Sequence, residues 1–178
     1  MLDICNYYNM LIKLDEKDLA ILNLIQANSK FTARQIASRI KAPITTVFAK
    51  IKRMEEQKII CEYRAILAPE KLASGTTAFI LASVSYRSKD GGVTSQRIVA
   101  KEIAQFLEVQ EVHIITGDWD LMIKLRAEAV DSIGKFVIDK LRLINGLEKT
   151  LTCMVFETIK ETTKLIIPEK PIKKTVKN

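Results

Sequence analysis

The chain contains a single histidine, His113, and that scarcity removes most proton-shuttling mechanisms. No Ser-His-Asp or Cys-His set can be assembled around one imidazole. Glycine is sparse, 6 in 178 residues, and no Gly-rich phosphate loop is present. Cys5, Cys61 and Cys153 are odd in number and far apart, so no pair has metal spacing, and they read as reduced thiols. No catalytic residue, metal ligand or resident cofactor is therefore assigned. Apolar runs are short: residues 79–84 fall far below the roughly 20 residues a bilayer span needs. The first residues hold an early acid, Asp3, with neither a basic region nor a small-residue cleavage site, so no secretory signal is expected. Met10 offers an alternative start. These features predict a cytoplasmic protein with no membrane partner.

What is present is positive charge, unevenly spread. The net charge is +7. Residues 1–74 hold 12 Lys/Arg against 8 Asp/Glu, residues 75–159 hold 10 against 11, and residues 160–178 hold 6 against 2. A near-neutral middle between basic ends suggests that a polyanion is met by the ends. A solvated surface with a Lys-rich tail would give the same count.

The first third predicts three short helices. Residues 15–28 open with acids, which suits a helix N-terminus, and Leu19, Leu22 and Ile25 share one face. Residues 32–40 begin with a capping-box pattern, Thr32 three positions before Gln35, and turn Ile36 and Ile40 inward. Lys41-Ala-Pro43 breaks the chain, with lysine where a left-handed turn residue is wanted. The third helix, 44–57, buries Val47, Ile51 and Met54. Its opposite side gathers Thr45, Thr46, Ala49, Lys52 and Arg53, with Lys50 at the margin. Hydroxyls, a methyl and cations on one outward face are the chemistry of a double-stranded DNA reader. Helix, tight break and basic helix form the helix-turn-helix pattern. Replacing Lys50 or Arg53 by alanine is then expected to weaken DNA binding without unfolding the chain.

The remainder reads as a strand at 59–67, a connector at 69–75, and then strand 76–86, loop 90–92, helix 94–107, strands 109–116 and 119–126, helix 130–144 and strand 147–158. Ile98, Ile103 and Leu107 mark the first of these helices; Val130, Ile133, Val137, Leu141 and Ile144 mark the second. Asn145-Gly146 stops it as a left-handed cap. The order β-α-β-β-α-β is the ferredoxin-like arrangement, which leaves one sheet face bare and so predicts a dimer.

These parts in this order resemble the Lrp/AsnC (leucine-responsive, feast/famine) family of transcription regulators. The likeness is carried by Leu14-Asp-Glu-Lys-Asp-Leu-Ala-Ile-Leu22, Lys50-Ile-Lys-Arg-Met-Glu-Glu-Gln-Lys-Ile-Ile60, Val109-Gln-Glu-Val-His113, Thr116-Gly-Asp-Trp-Asp120, Asn145-Gly-Leu147 and Thr163-Lys-Leu-Ile-Ile167. The resemblance implies an α+β chain: an N-terminal extension (1–13), a winged helix-turn-helix (14–60), a strand linker (61–75), a βαββαβ ferredoxin-like effector and oligomerisation domain (76–160) and a basic tail (161–178). It implies dimers that assemble further, as far as octamers, with an amino-acid effector bound between dimers. It also implies that the turn Gly117, Asp118, Trp119 and Asp120 lines the effector pocket.

That implication makes chemical sense. An amino acid's ammonium needs an acceptor, which Asp118 or Asp120 supplies, and its carboxylate needs donors, which backbone N–H groups at a glycine turn supply. Thr150 and Thr152 on the last strand are weaker lining candidates. A Gly-Asp pair is equally a plain hairpin turn, and Trp119 equally a core residue. His113 reads as structural. Two features depart from the family pattern: Lys41-Ala42-Pro43 stands for the usual Gly-x-Ser turn, and the Lys-rich tail is extra, expected to be disordered and to touch phosphate non-specifically. Two alternatives stand beside this reading. One is an architectural DNA-binding protein without an effector. The other is an enzyme resembling tetrapyrrole decarboxylases of the same architecture, which the lone histidine disfavours.

Overall fold

The computed structural model describes residues 14–85 and 94–168. They form two compact units, residues 14–66 joined by 162–168, and Leu67–Glu161. The expected extension 1–13, the loop 90–92 and most of the Lys-rich tail lie outside the described residues.

The first unit is built on three helices, α1 (Glu16–Ala27), α2 (Ala33–Ile40) and α3 (Ile44–Glu56). Both α1 and α2 begin with reciprocal capping boxes. Asp15 and Asp18 exchange backbone-to-carboxylate bonds of 2.9 Å; at the start of α2, Thr32 N–H donates to the Gln35 side-chain oxygen at 2.9 Å and Gln35 N–H to the Thr32 hydroxyl at 3.3 Å. Each box satisfies two N–H groups that a helix start otherwise leaves orphaned. Lys41 ends α2 in the left-handed region at φ 52°, and Pro43 then opens α3 at φ −58°.

Ile21, Ile36, Val47 and Met54 form the buried centre. Ile21, fully buried, was not on the expected α1 face, whereas Ile25 is only half-buried. The helix packs against both α2 and α3, which makes its covered face wider than a single stripe.

One expectation of secondary structure changes in this unit. The strand expected at 59–67 is absent: residues 61–68 run exposed without a ladder partner, after Ile60 closes the core and the Tyr63 hydroxyl donates to Glu55 at 2.8 Å. A strand exists only when another strand accepts its hydrogen bonds, and the described chain offers none here. The start of the basic tail, ahead of the segment 167–178 expected to be disordered, returns to α1. Leu165 N–H donates to Gln26 Oε1 at 2.8 Å, the Gln26 amide donates to the Leu165 carbonyl at 3.2 Å, and Ile167 packs on the three-helix core.

The second unit opens with a short 3-10 turn (Pro69–Leu72). It runs β1 (Thr76–Val84), α4 (Gln96–Ile103), β2 (Val109–Ile114), β3 (Leu121–Ala127), α5 (Val130–Lys135) and β4 (Leu147–Met154). All strands are antiparallel in the order β2-β3-β1-β4, the βαββαβ arrangement. After α5 the helix widens into a π turn (Phe136–Lys140) and tightens at Leu141–Leu143. Ala78, Ile80, Leu121, Ile123 and Leu125 meet Val99, Ile103, Ile133, Phe136 and Leu141 in a closed core.

Ile98, Leu107 and Val130, expected inward, are instead 57%, 99% and 64% exposed. Val99 and Ile103, four apart, define the α4 face; Ile98 lies one step off it and Leu107 lies beyond the helix end. Gly146, at φ 88°, does stop the second helical stretch as expected, and a Cβ there would come within 2.6 Å of Thr94 Cγ2.

The other sheet face is uncovered among the described residues. Register places Phe79, Leu81, Met122, Leu151 and Cys153 on it. Lys124, only 9% exposed, also lies there, bonded to Glu111 at 3.2 Å and to Glu161, which Arg126 also holds. Burial pulls the Lys124 pKa down, but its carboxylate hydrogen bonds outweigh this and leave it raised.

Candidate nucleic-acid interface and effector turn

The placement of α3 follows from its apolar side. Val47 and Met54 are fully buried, with Ile51 at the core edge, so the opposite surface must face solvent. That surface carries Thr45, Ala49 and Lys52, all exposed, and Thr46, half-buried. Lys50 and Arg53 are directed elsewhere. Lys50 Nζ donates to Asp15 at 2.5 Å and to Asp18 at 3.0 Å, while Arg53 Nη2 lies 2.7 Å from Asp18 Oδ2, an ionic contact without hydrogen-bond alignment.

Asp18 is completely buried, so these two cations neutralise a carboxylate that water cannot reach. The Lys50 hydrogen bond is the main reason the Asp15 carboxyl titrates at about 2. Burial lowers the pKa of Lys50 itself, yet its hydrogen bonds to both aspartates leave it raised. The α1 start thus pins α3 from beneath. The Arg39 guanidinium is also engaged, 4.1 Å above the Phe31 ring and bonded to the Gln35 carbonyl.

The turn between β2 and β3 is longer than a two-residue hairpin. Residues 115–120 separate the strands, closed by Ile115 N–H donating to the Asp120 carbonyl at 2.9 Å. Gly117 takes φ 119° in open space, so conformation and not crowding calls for glycine. Asp120 is committed to the fold: its carboxylate accepts from Val84 N–H at 2.7 Å and from the Gln96 amide, tying β1, β3 and α4 together. Asp118 is exposed, with no side-chain hydrogen bond among the described residues, and Trp119 is half-buried.

Thr150 pairs with Ala82, the residue whose carbonyl accepts from Asp120 N–H, so it shares that end of the sheet. Thr152, opposite Ile80, lies two pairs further along and is exposed. An open depression of about 530 Å³ lies along β4, lined by Arg142, Leu147, Glu148, Lys149 and Thr150 and by none of the turn. His113 accompanies Glu111 at 3.2 Å on the uncovered sheet face. Among the described residues no three His, Cys, Asp or Glu side chains converge as a metal-binding group, and no helix is long and apolar enough to cross a membrane.

Comparison with known proteins connects this geometry to a family. Residues 14–60 match the model for a winged helix-turn-helix DNA-binding domain, and residues 77–165 match the model for the Lrp/AsnC ligand-binding domain. A helix-turn-helix transcriptional regulator of Pyrococcus abyssi is 42% identical over 83% of this chain and 96% of its own length. The chain belongs to the Lrp/AsnC family. It is a DNA-binding transcriptional regulator carrying that family's ligand-binding domain.

Another relative, the regulator FL11 of Pyrococcus horikoshii, is 34% identical over 89% of this chain and 99% of its own. Among solved structures, a transcriptional regulator of Neisseria meningitidis in complex with L-methionine superposes with a TM-score of 0.78 at 26% identity, over 86% of this chain and 97% of that one. AsnC of E. coli shares the fold at a TM-score of 0.75 and 20% identity, over 88% and 100% of the two chains.

Sequence reasoning missed three parts of this Lrp/AsnC chain. Phe48 is 65% exposed on α3 although it is the largest apolar residue of that helix. Gln96, the partner of Asp120, carries no motif. Asp18 was visible only as an acid in a first turn, although its spacing of three from Asp15 is the capping-box spacing.

Proposed function

We propose that this Lrp/AsnC regulator reads duplex DNA with the outer surface of α3 and adjusts its assembly when an amino acid binds between dimers at the turn 117–120. The observation that carries the DNA half is the orientation of α3: Thr45, Ala49 and Lys52 face outward on a helix pinned to α1 by Lys50, Arg53 and Asp18. Thr46 stands at the margin. In this reading Lys52 meets phosphate directly, whereas Lys50 and Arg53 chiefly set the helix angle.

The effector half draws on the ligand-binding-domain match and on the L-methionine found in the Neisseria relative. Asp118, whose side chain is free and exposed, accepts the ammonium. Backbone N–H groups around Gly117 receive the carboxylate, and Trp119 and Thr150 border the side chain, with Thr152 further out. Asp120 holds the turn in shape through Val84 and Gln96. The apolar strip of Phe79, Leu81, Met122 and Leu151 fits burial against the same face of a second copy, and pairs of such dimers, up to an octamer, bring the turns together. An effector that binds one arrangement of dimers better than another shifts the spacing of the DNA-reading helices.

The test is a thermal-shift screen of the full chain against the twenty amino acids, repeated with Asp118→Ala. At least one amino acid should raise the melting temperature in proportion to its saturation, and the variant should lose that response. Silence from all twenty would remove the effector half and leave a DNA-binding oligomer.

A further inference from the structure

We infer that Phe48 is a specificity-determining residue that reads the 5-methyl group of thymine in the major groove. The inference rests on the reading that α3 enters DNA and names what it recognises there. At about 100° per residue, Ile44, Phe48, Lys52, Thr45 and Ala49 span an arc of about 140°, with Lys52 near its middle and Phe48 and Thr45 to either side. All five are exposed. The core of this unit closes without the Phe48 ring: Val47 and Met54 are fully buried, Ile51 packs at the core edge, and 65% of Phe48 stays in solvent.

What this arc lacks decides what it can recognise. Guanine is read chiefly by arginine or lysine bridging its O6 and N7 acceptors. The arginine of this helix, Arg53, is turned to Asp18, and Lys50 is turned to Asp15 and Asp18. Lys52 is the cation left on the arc. The other chemistry offered is a phenyl ring, a threonine hydroxyl with its methyl, an alanine methyl and an isoleucine. The apolar feature that any base pair shows in the major groove is the thymine methyl, and phenylalanine, alanine and the threonine methyl are its usual partners. A ring within the arc, next in sequence to a small Ala49 that lets the backbone approach, is placed to cover that methyl.

The test uses the full chain and a duplex selected with it from a random library at low ionic strength. Thymines in the selected duplex are then replaced one at a time by deoxyuridine, which removes only the 5-methyl. At one or two positions per half-site the affinity of the unaltered protein should fall about four-fold, the effect of withdrawing one buried methyl. Phe48→Ala should bind the thymine duplex more weakly by a similar factor and should no longer distinguish deoxyuridine at those positions. The comparison on unaltered protein does not depend on how the variant folds.

Deoxyuridine replacement that is silent in the unaltered protein, or equally costly in Phe48→Ala, would overturn the inference. So would a Phe48→Ala protein that keeps its thymine dependence but sediments as a smaller species, which would make Phe48 a protein-facing residue. Failure to retain any duplex would instead overturn the DNA reading itself, and this inference with it.

Discussion

Replacing Lys50 by alanine should destabilise the three-helix unit before it does anything specific to DNA. The Asp18 side chain is 1% exposed and meets Asp15 N–H at 2.9 Å, Lys50 Nζ at 3.0 Å and Arg53 Nη2 at 2.7 Å. Removing one partner of a buried pair costs about 3–5 kcal/mol because the other charge is left unpaired. Here Arg53 and the Asp15 amide still face the carboxylate, and the Lys50 side chain is 15% exposed, so about 2–3 kcal/mol is expected. For a unit of this size each kcal/mol moves the melting temperature by about 4–8 °C, which makes a fall on the order of 10–20 °C.

The assay is thermal melting by far-UV circular dichroism. Fluorescence of the single tryptophan, Trp119, serves as internal reference because it lies in the other unit. A cycle with Asp18→Asn isolates the pair, and a coupling of about 1–3 kcal/mol is expected for neighbours that share a carboxylate. A Lys50→Ala protein that melts within about 0.5 kcal/mol of the parent, a typical surface effect, would refute the reasoning and return Lys50 to the DNA-contacting face.

Three further outcomes follow from the same geometry. Lys41→Gly should stabilise the first unit by about 1 kcal/mol in urea denaturation, since φ 52° costs a side chain about 1–2 kcal/mol and glycine's extra chain entropy returns part of it; a loss of stability would mean that the Lys41 side chain has a role of its own. Because the folded Asp15 titrates at about 2, below the roughly 3.9 of an unstructured aspartate, its contribution is fully present above about pH 4 and is lost as pH falls through about 2. Allowing for solvent screening of a side chain 58% exposed, this amounts to about 1 kcal/mol, and Asp15→Asn should flatten the acid limb of a stability-versus-pH curve over that window. Asp120→Ala strips the acceptor from Val84 N–H and Gln96, so the second unit should lose about 1–3 kcal/mol in the Trp119 transition, whether or not amino acid is present.

Features set by neighbours in sequence were legible before any fold was known. The Thr32–Gln35 box, the left-handed Lys41, the burial of Val47 and Met54, and the order of strands and helices all depend on spacings of a few residues. Features set by distant partners were not. Nothing in Leu165 announces that Gln26, 139 positions away, will bind its backbone at both ends. Arg53 had the right angle on the helical wheel to face outward, and only the buried Asp18 on another helix draws it in. Phe48 was overlooked for the converse reason: its apolar character suggests a core residue, yet the helical spacing that buries Val47 and Met54 leaves it outward and 65% exposed.

In the proposed function α3 lies in a duplex groove with Lys52 on phosphate. The most direct measurement is the affinity of the full chain for duplex DNA over a series of salt concentrations, with and without Lys52→Ala. The expected result is retention at low salt, a steep linear fall of log affinity with log salt, and a slope shallower by about 1 in the variant, the value for one phosphate no longer neutralised. A chain that passes every duplex unretained at low salt, or a variant with an unchanged slope, would contradict the placement of that helix.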